Sequence, residues 1–330
     1  MVSRHYDIPP LKEPLKGNEL LIASIGPLVR YIFEDPYLAR ETNAVFRDPK
    51  TQWVGKRGRF QGEEISRVDR IIDGITDLEN NPNSNVLSGI LKSINIDPRM
   101  INYPDFIRLI ASSCRESLRH LRAVKNGGNR GDREWDSGSS FNQAHKILFS
   151  HCLDYYQMTE PDLWRIFDAI FDTPVVLDNF ASVGNISTIA GLESELQALL
   201  YLRNKTGSSK VNFASRVLDS YHGIDIILVG DDDCAKTYIQ VKSDCRYCQD
   251  FVFLLFPSDS DYKKDPSFQE IVTQSTNPQK LQKGLSKLMW YVQEESKKSP
   301  KNISGALLVV PQRQEKVKFR QERQKRLHRL

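Results

Sequence analysis

The pattern of apolar and polar positions divides the chain into two parts with different periodicity. In the first part apolar residues recur three and four positions apart, as in Leu21, Ile25 and Ile32, and this predicts a helix that ends before Pro36. The same spacing predicts further helices over residues 65–75, 106–124, 141–156 and 161–171. We therefore expect roughly the first 175 residues to be mainly helical.

The pattern changes after about Asn179, where short apolar runs alternate with helical segments. A helix is predicted over residues 189–203, strands over 211–218, 224–229 and 237–241, one further strand over 251–256, a helix over 281–295 and a buried strand over 306–310. This order predicts a layered α/β domain. We expect a helical region over residues 1–178, an α/β core over 179–311 and a basic tail over 312–330.

Polar side chains interrupt two of the predicted strands at positions where a plain core would be apolar. Asp225 stands at the start of one strand, and Gln240 and Lys242 stand two apart in the next. Side chains two apart on a strand share a face. If the two strands form a hairpin through the turn at 231–233, Asp225 lies near Gln240 and Lys242.

This combination suits the hydrolysis of a phosphodiester bond. Asp225, the side-chain oxygen of Gln240 and the backbone carbonyl of Val241 are oxygen ligands of the kind that Mg²⁺ accepts. Lys242 would orient the attacking water and offset negative charge in the transition state. A glutamate on the preceding helix would ligate directly or through water.

The order of a helix glutamate, Gly-Ile-Asp at 223–225 and Gln-Val-Lys at 240–242 resembles the PD-(D/E)XK nuclease superfamily, over about residues 188–311. The resemblance implies a restriction-endonuclease-like α-β-β-β-α-β core behind the helical N-terminal region. It implies that Asp225 binds the metal and that Lys242 is the catalytic lysine. Gln240 stands where many members have an acid, which is similar to the QxK variant of Mrr-like proteins, and Gln240→Glu is then expected to be tolerated.

The same resemblance selects a helix glutamate. Glu195, together with Ala198 and Leu202, matches the family's ExxAxxxL run, which makes Glu195 the expected residue. Glu193 is the alternative.

Basic residues form three groups that suit a polyanion. Arg115, Arg119 and Arg122 form a stripe at helical spacing, and a flexible loop carries Lys56, Arg57 and Arg59. From residue 311 to 330, eight Lys and Arg stand against two Glu. Each group is either a contact to DNA phosphates or a solvated face, and sequence alone leaves both interpretations open.

Composition limits where in the cell the protein is expected to be. The 330 residues carry 46 Lys and Arg against 42 Asp and Glu, and no apolar run approaches the roughly 20 residues that span a bilayer. With no signal-peptide pattern at the N-terminus and five scattered cysteines, we expect a cytoplasmic protein with reduced thiols and no membrane partner. Cys245 and Cys248 form a CxxC without a second pair, so we do not expect a structural metal there.

These features favour a Mg²⁺-dependent endonuclease that cuts double-stranded DNA. A type II restriction endonuclease is the first expectation, with a cognate DNA methyltransferase as its functional partner. A homodimer is expected because two antiparallel strands need two sites. Two alternatives remain: an Mrr-like or repair nuclease acting on modified or branched DNA, and a non-catalytic nucleic-acid-binding protein on a decayed nuclease fold.

Overall fold

The N-terminal half of the chain is helical. The structure, a computed structural model, describes residues 18–35, 66–125, 132–206, 210–230, 235–243, 250–298, 302–311 and 313–327. The helices of this half are α1 (Asn18–Phe33), α2 (Arg67–Asn80), α3 (Val86–Ser93), α4 (Pro104–Lys125), α5 (Asp132–Asp154), α6 (Glu160–Phe171) and α7 (Pro174–Ser182). The helical region predicted from the apolar spacing is thus confirmed in its main elements, and the predicted boundary at 178/179 lies inside α7.

A mixed sheet follows the long helix α8 (Ile186–Thr206). Its strands are β1 (Val211–Phe213), β2 (Ile226–Val229), β3 (Ala235–Lys242), β4 (Val252–Pro257) and β5 (Asn302–Val309), in the spatial order β1-β2-β3-β5-β4. β3 and β5 are parallel, and the other neighbours are antiparallel. The remaining helices are α9 (Arg216–His222), α10 (Pro266–Gln274), α11 (Pro278–Lys298) and α12 (Gln314–Leu327).

Helix α8 is apolar around most of its circumference because it separates two cores. Leu192 and Leu196 pack into the core of the helical half, whereas Leu199 and Leu202 pack onto the sheet. The opposite sheet face is covered by α10 and α11. Since α8 belongs to both cores, it holds the helical half rigidly against the sheet, and residues from both halves can meet beside it.

The predicted strand over 211–218 is wrong beyond Phe213, because the chain there turns into α9. The Ser215 hydroxyl caps this helix by accepting a hydrogen bond from the Leu218 backbone N–H. Gly223 ends it with a φ of 66°, a left-handed conformation that glycine adopts without strain. The result confirms an α/β protein with a five-strand sheet, with α9 inserted between the first two strands.

Within the described ranges, no helix combines the length and the apolar character needed to cross a bilayer.

Candidate active site

Three buried carboxylates converge beside α8. Glu195 comes from α8, Asp219 from α9 and Asp225 from the residue just before β2, and one oxygen from each lies within 4.8 Å of the other two. We call these three residues the carboxylate cluster. Glu195 and Asp225 are two of the residues singled out in the sequence, and the structure brings them together. Asp219 was missed because it directly follows the segment 211–218, which was predicted to be a strand and in part belongs to α9.

Lys146 from α5 inserts its ammonium group into the carboxylate cluster. Its Nζ lies 2.6 Å from Glu195 Oε2 and 2.6 Å from Asp219 Oδ2, and its side chain is only 1% exposed. The contact to Asp219 is a hydrogen bond, whereas Glu195 Oε2 accepts no hydrogen bond despite the short distance. The Glu195 contact is therefore a close ion pair with poor hydrogen-bond alignment.

Burial and charge act in opposite directions on these groups. Burial alone would lower the pKa of Lys146, but the charges of Glu195, Asp219 and Asp225 more than offset it and raise that pKa, so the lysine stays protonated. Burial raises the pKa of Glu195 to about 8 despite the nearby ammonium group. Burial also raises the pKa of Asp225, against the opposing charge of Lys242. The carboxylate cluster is therefore short of positive charge.

Asp225 is fixed by both neighbouring strands. Its backbone N–H donates to the Ile239 carbonyl at 2.9 Å, and its carbonyl accepts from Ala214 at 2.9 Å. Its Oδ2 accepts a 2.7 Å hydrogen bond from the Val241 backbone N–H. Val241 thus contacts Asp225 through its N–H, while its carbonyl was the predicted metal ligand. The second oxygen of Asp225 remains for another partner.

Lys242 is half-buried at the end of β3 and forms no ion pair within 4 Å among the described residues. Its charge lies close enough to oppose the burial effect on the pKa of Asp225. The proximity of Asp225 and Lys242 predicted from the hairpin is therefore present. Within the described residues this ammonium group has no ion-pair partner, so it is available to a phosphate there.

Gln240 is turned toward α11 and forms no hydrogen bond with the carboxylate cluster. Its Nε2 donates to the Gly223 carbonyl at 3.2 Å, and its side chain is 2% exposed. A Cβ on Gly284 would lie 2.5 Å from that Nε2, so the side chain fills the space between two glycines. Its Oε1 has no hydrogen-bond partner in the described part of the chain. The predicted convergence of Gln240 with Asp225 is not seen in these contacts.

Glu193, the alternative helix glutamate, pairs with two arginines instead of joining the carboxylate cluster. Its carboxylate meets Arg320 Nη1 at 2.6 Å and Arg313 Nη1 at 3.1 Å, both from the C-terminal basic segment. Arg320 is completely buried and also contacts Asp172 at 3.1 Å, and Arg313 lies 4.5 Å over the Trp164 ring. These cations of the predicted tail are therefore used inside the protein. Of the two glutamates, Glu195 is the one beside Asp225.

The predicted arginine stripe lies on α4. Arg115 Nη2 is 3.3 Å from Asp69, and Arg119 Nη1 is 3.0 Å from Glu116, so both arginines have acidic partners within the chain. Arg122 is half-buried and has an interaction of its own. The loop with Lys56, Arg57 and Arg59 lies outside the described residues, as do Cys245 and Cys248.

A groove of about 590 Å³ opens next to the carboxylate cluster. Helix α5 forms one wall with Gln143, Lys146 and Ser150, and the segment from β1 to α9 forms the other with Phe213 and Ser215. Lys146 Nζ lies 5.6 Å from the centre of the Phe213 ring. Lys146 is the residue that connects the groove to Glu195 and Asp219, and none of the three carboxylates lines the groove itself.

Comparison of the chain with protein-family models, with curated proteins and with solved structures finds no match. The resemblance to the PD-(D/E)XK nucleases therefore rests on the sequence motif alone.

Proposed function

We propose that this protein is a metal-dependent endonuclease that hydrolyses phosphodiester bonds in DNA. The observation that carries the proposal is the convergence of Glu195 and Asp225, two carboxylates 30 positions apart in the sequence, with Asp219 within 4.8 Å. Lys242 beside them supplies the positive charge that a phosphate substrate needs.

The carboxylate cluster fits a divalent cation in size and charge. In a six-coordinate Mg²⁺ site adjacent ligands stand about 2.9 Å apart and opposite ligands about 4.2 Å, so oxygens within 4.8 Å of one another would have to draw together around the cation. Glu195 Oε2 is buried and holds the Lys146 ammonium group at 2.6 Å without an aligned hydrogen bond, so a metal would replace that contact. With all three carboxylates ionised, as a bound cation or a pH above about 8 would ensure, one inserted ammonium group leaves net negative charge for the metal.

The residues of the chain then have distinct roles. Asp225, Glu195 and Asp219 would hold Mg²⁺, and the Val241 N–H would orient Asp225. When bound, Mg²⁺ polarises the scissile phosphate and lowers the pKa of a coordinated water. Lys242 offsets negative charge that builds on the phosphate oxygens. Lys146 competes with the metal for the same carboxylates and would shift toward the groove when the metal is present.

The specific form we propose is a type II restriction endonuclease that cuts double-stranded DNA as a homodimer, with a cognate methyltransferase as its functional partner. Each protomer would cut one strand, so a two-fold axis through the DNA would place one carboxylate cluster on each strand.

Plasmid cleavage tests the proposal. The parent chain should nick or linearise plasmid DNA with 10 mM Mg²⁺ and leave it intact with EDTA. Asp225→Asn should abolish cleavage by losing a metal ligand, whereas Asp69→Asn, on the surface of α2, should cut like the parent. If no plasmid, modified or branched DNA is cut with Mg²⁺ or Mn²⁺, the proposal fails.

One observation favours a second candidate, a non-catalytic nucleic-acid-binding protein. The Lys146 ammonium already contacts two members of the carboxylate cluster at 2.6 Å, which is how a buried structural ion network is neutralised. On this alternative Mg²⁺ neither binds the carboxylate cluster nor changes the stability of the protein. A melting temperature that is identical with Mg²⁺ and with EDTA, together with DNA binding and no cleavage, would support it.

A further inference from the structure

Helix α11 carries an exposed row of lysines that form no ion pair within the described part of the chain. Lys280, Lys283 and Lys287 are spaced three and four residues apart, so they lie on one face, and all three are exposed. None of them forms an ion pair with a residue in the described ranges, in contrast to Arg115 and Arg119 on α4. The sequence shows this spacing, but it does not reveal which basic residues are already neutralised.

Exposed aromatic rings continue the row. Trp290 follows Lys287 on the same face of α11 and is 57% exposed. Tyr221 on the neighbouring helix α9 is 60% exposed. His222 joins the two helices, with its ring 6.0 Å from Trp290 at an interplanar angle of 17°. Burial and the charge of Lys287 both lower the pKa of His222, so the Lys287 ammonium group lies near the His222 ring.

We define the basic-aromatic face as Lys280, Lys283, Lys287, Trp290 and Tyr221. We propose that the basic-aromatic face binds a single-stranded segment of nucleic acid, with the lysines on the phosphates and the rings of Trp290 and Tyr221 stacked on unpaired bases. The inference rests on the proposed function only for its choice of nucleic acid as the polyanion.

The chemistry of the face selects this partner. Seven residues of helix separate Lys280 from Lys287 and rise about 10.5 Å, so the lysines can reach successive phosphates along one strand. Flat exposed rings stack on bases, and the base faces of a duplex are hidden by their neighbours in the stack. An acidic peptide would use the lysines but would leave the rings without a stacking partner.

The position also relates the basic-aromatic face to the carboxylate cluster. Tyr221 and Asp219 belong to the same short helix α9, with Tyr221 pointing outward and Asp219 reaching Lys146. A strand on the basic-aromatic face would therefore pass about one helix diameter, roughly 10 Å, from the carboxylate cluster. The basic-aromatic face could then hold a displaced or unpaired strand while a neighbouring phosphate lies at the carboxylate cluster.

Binding in EDTA tests the inference without any cleavage. Fluorescence anisotropy of a labelled 20-mer of thymidine would be measured between 50 and 200 mM NaCl for the full-length parent. The triple variant Lys280→Gln, Lys283→Gln and Lys287→Gln should flatten the slope of log K against log salt by about 0.7 per lost contact. The matched control replaces Lys297 and Lys298, which already pair with Glu294 and Glu295 on α11, and should keep the parent slope.

The aromatic part has its own readout. Trp290→Ala should weaken binding of the single strand at least about fivefold at every salt concentration while leaving the salt slope unchanged. Circular dichroism would verify that each variant is folded, as expected for exposed positions. An unlabelled 20-bp duplex should compete less well than the single strand.

The inference is overturned if the parent does not bind the single strand, if the triple variant keeps the parent slope, or if the duplex competes equally. It is also overturned if sedimentation finds a self-association that Trp290→Ala abolishes, since the rings would then contact a second copy. If the triple lysine variant still cleaves DNA and binds the single strand as tightly as the parent, this inference is refuted and the proposed nuclease is not. Parental binding of single strands without cleavage under any condition would refute the proposed nuclease instead.

Discussion

Replacing Lys146 by methionine tests the geometry of the carboxylate cluster most severely. The substitution keeps the length of the side chain and removes the charge that lies 2.6 Å from both Glu195 and Asp219. Removing one partner of a buried ion pair leaves the others uncompensated, which costs about 3–5 kcal/mol. We expect a loss of this size in the free energy of unfolding at pH 8, measured by urea denaturation.

The loss should depend on pH in a defined direction. Without the ammonium group, burial raises the pKa of the cluster carboxyls further above their unfolded value near 4.3. A raised pKa means that stability is retained below the unfolded pKa and lost as the pH rises through the folded pKa. Because the pKa of Glu195 in the parent is already about 8, the gap between parent and Lys146→Met should widen from pH 8 to pH 10, by about 1.4 kcal/mol for each unit of additional pKa shift.

Two comparisons make this result specific. Lys264→Met removes an 85% exposed lysine and should leave the denaturation midpoint unchanged at both pH values. Mg²⁺ should stabilise Lys146→Met more than the parent, because the metal no longer competes with an ammonium group and binding to the folded state adds stability by mass action. Equal midpoints for the parent and Lys146→Met at pH 8 would refute the placement of Lys146 in the carboxylate cluster.

Three further predictions follow from buried polar groups. Gln240→Glu should destabilise the protein by at least about 2 kcal/mol at pH 8, measured by urea denaturation, because the donor to the Gly223 carbonyl is lost and a charge is buried. Arg320→Met should cost about 3–5 kcal/mol in the same assay, since Glu193 and Asp172 lose their buried partner. His145 should make stability fall between pH 6.5 and pH 4, by about 3 kcal/mol, because burial lowers its pKa to about 4 and only the unfolded state gains the proton over that range.

Each of these has a control and a contrary outcome. Tolerance of Gln240→Glu would favour the sequence-based expectation that this side chain faces the metal. Lys318→Met, at an exposed position of α12, should leave the denaturation midpoint unchanged. If Arg320→Met also left the midpoint unchanged, Arg320 would lie outside the core. His145→Phe should flatten the acid limb of the stability profile, and an unchanged limb would assign that limb to other groups.

The amphipathic helices of the first half were predictable because each buries one face, as α1 does with Leu21, Ile25 and Ile32. The strands β2 and β3 were predictable from their apolar runs and the intervening acidic turn. Helix α9 was missed because its residues read as β-formers, although Ser215 and Gly223 mark its two ends. The caps were the better signal there, since a short helix has too few turns to show periodicity.

The candidate site was predictable only in part, because some of its residues belong to no local sequence pattern. Asp225 and Glu195 could be found because their neighbours in the sequence form a motif. Lys146 lies 49 positions before Glu195 and in a different helix, and no local pattern identifies a lysine as buried. Ion pairs of this kind depend on how whole helices pack, as does the pairing of Glu193 with Arg320.

Single-turnover cleavage by Lys242→Ala tests whether Lys242 and the carboxylate cluster form a catalytic centre. Lys242 stands beside Asp225 without an ion pair among the described residues, and in the proposed enzyme its charge would act mainly in the transition state. We predict that Lys242→Ala with Mg²⁺ cuts DNA at least about 100-fold more slowly than the parent, while DNA binding measured in Ca²⁺ stays within about twofold. Cleavage by Lys242→Ala at the parental rate would place the catalytic centre elsewhere and refute the proposed role of Lys242.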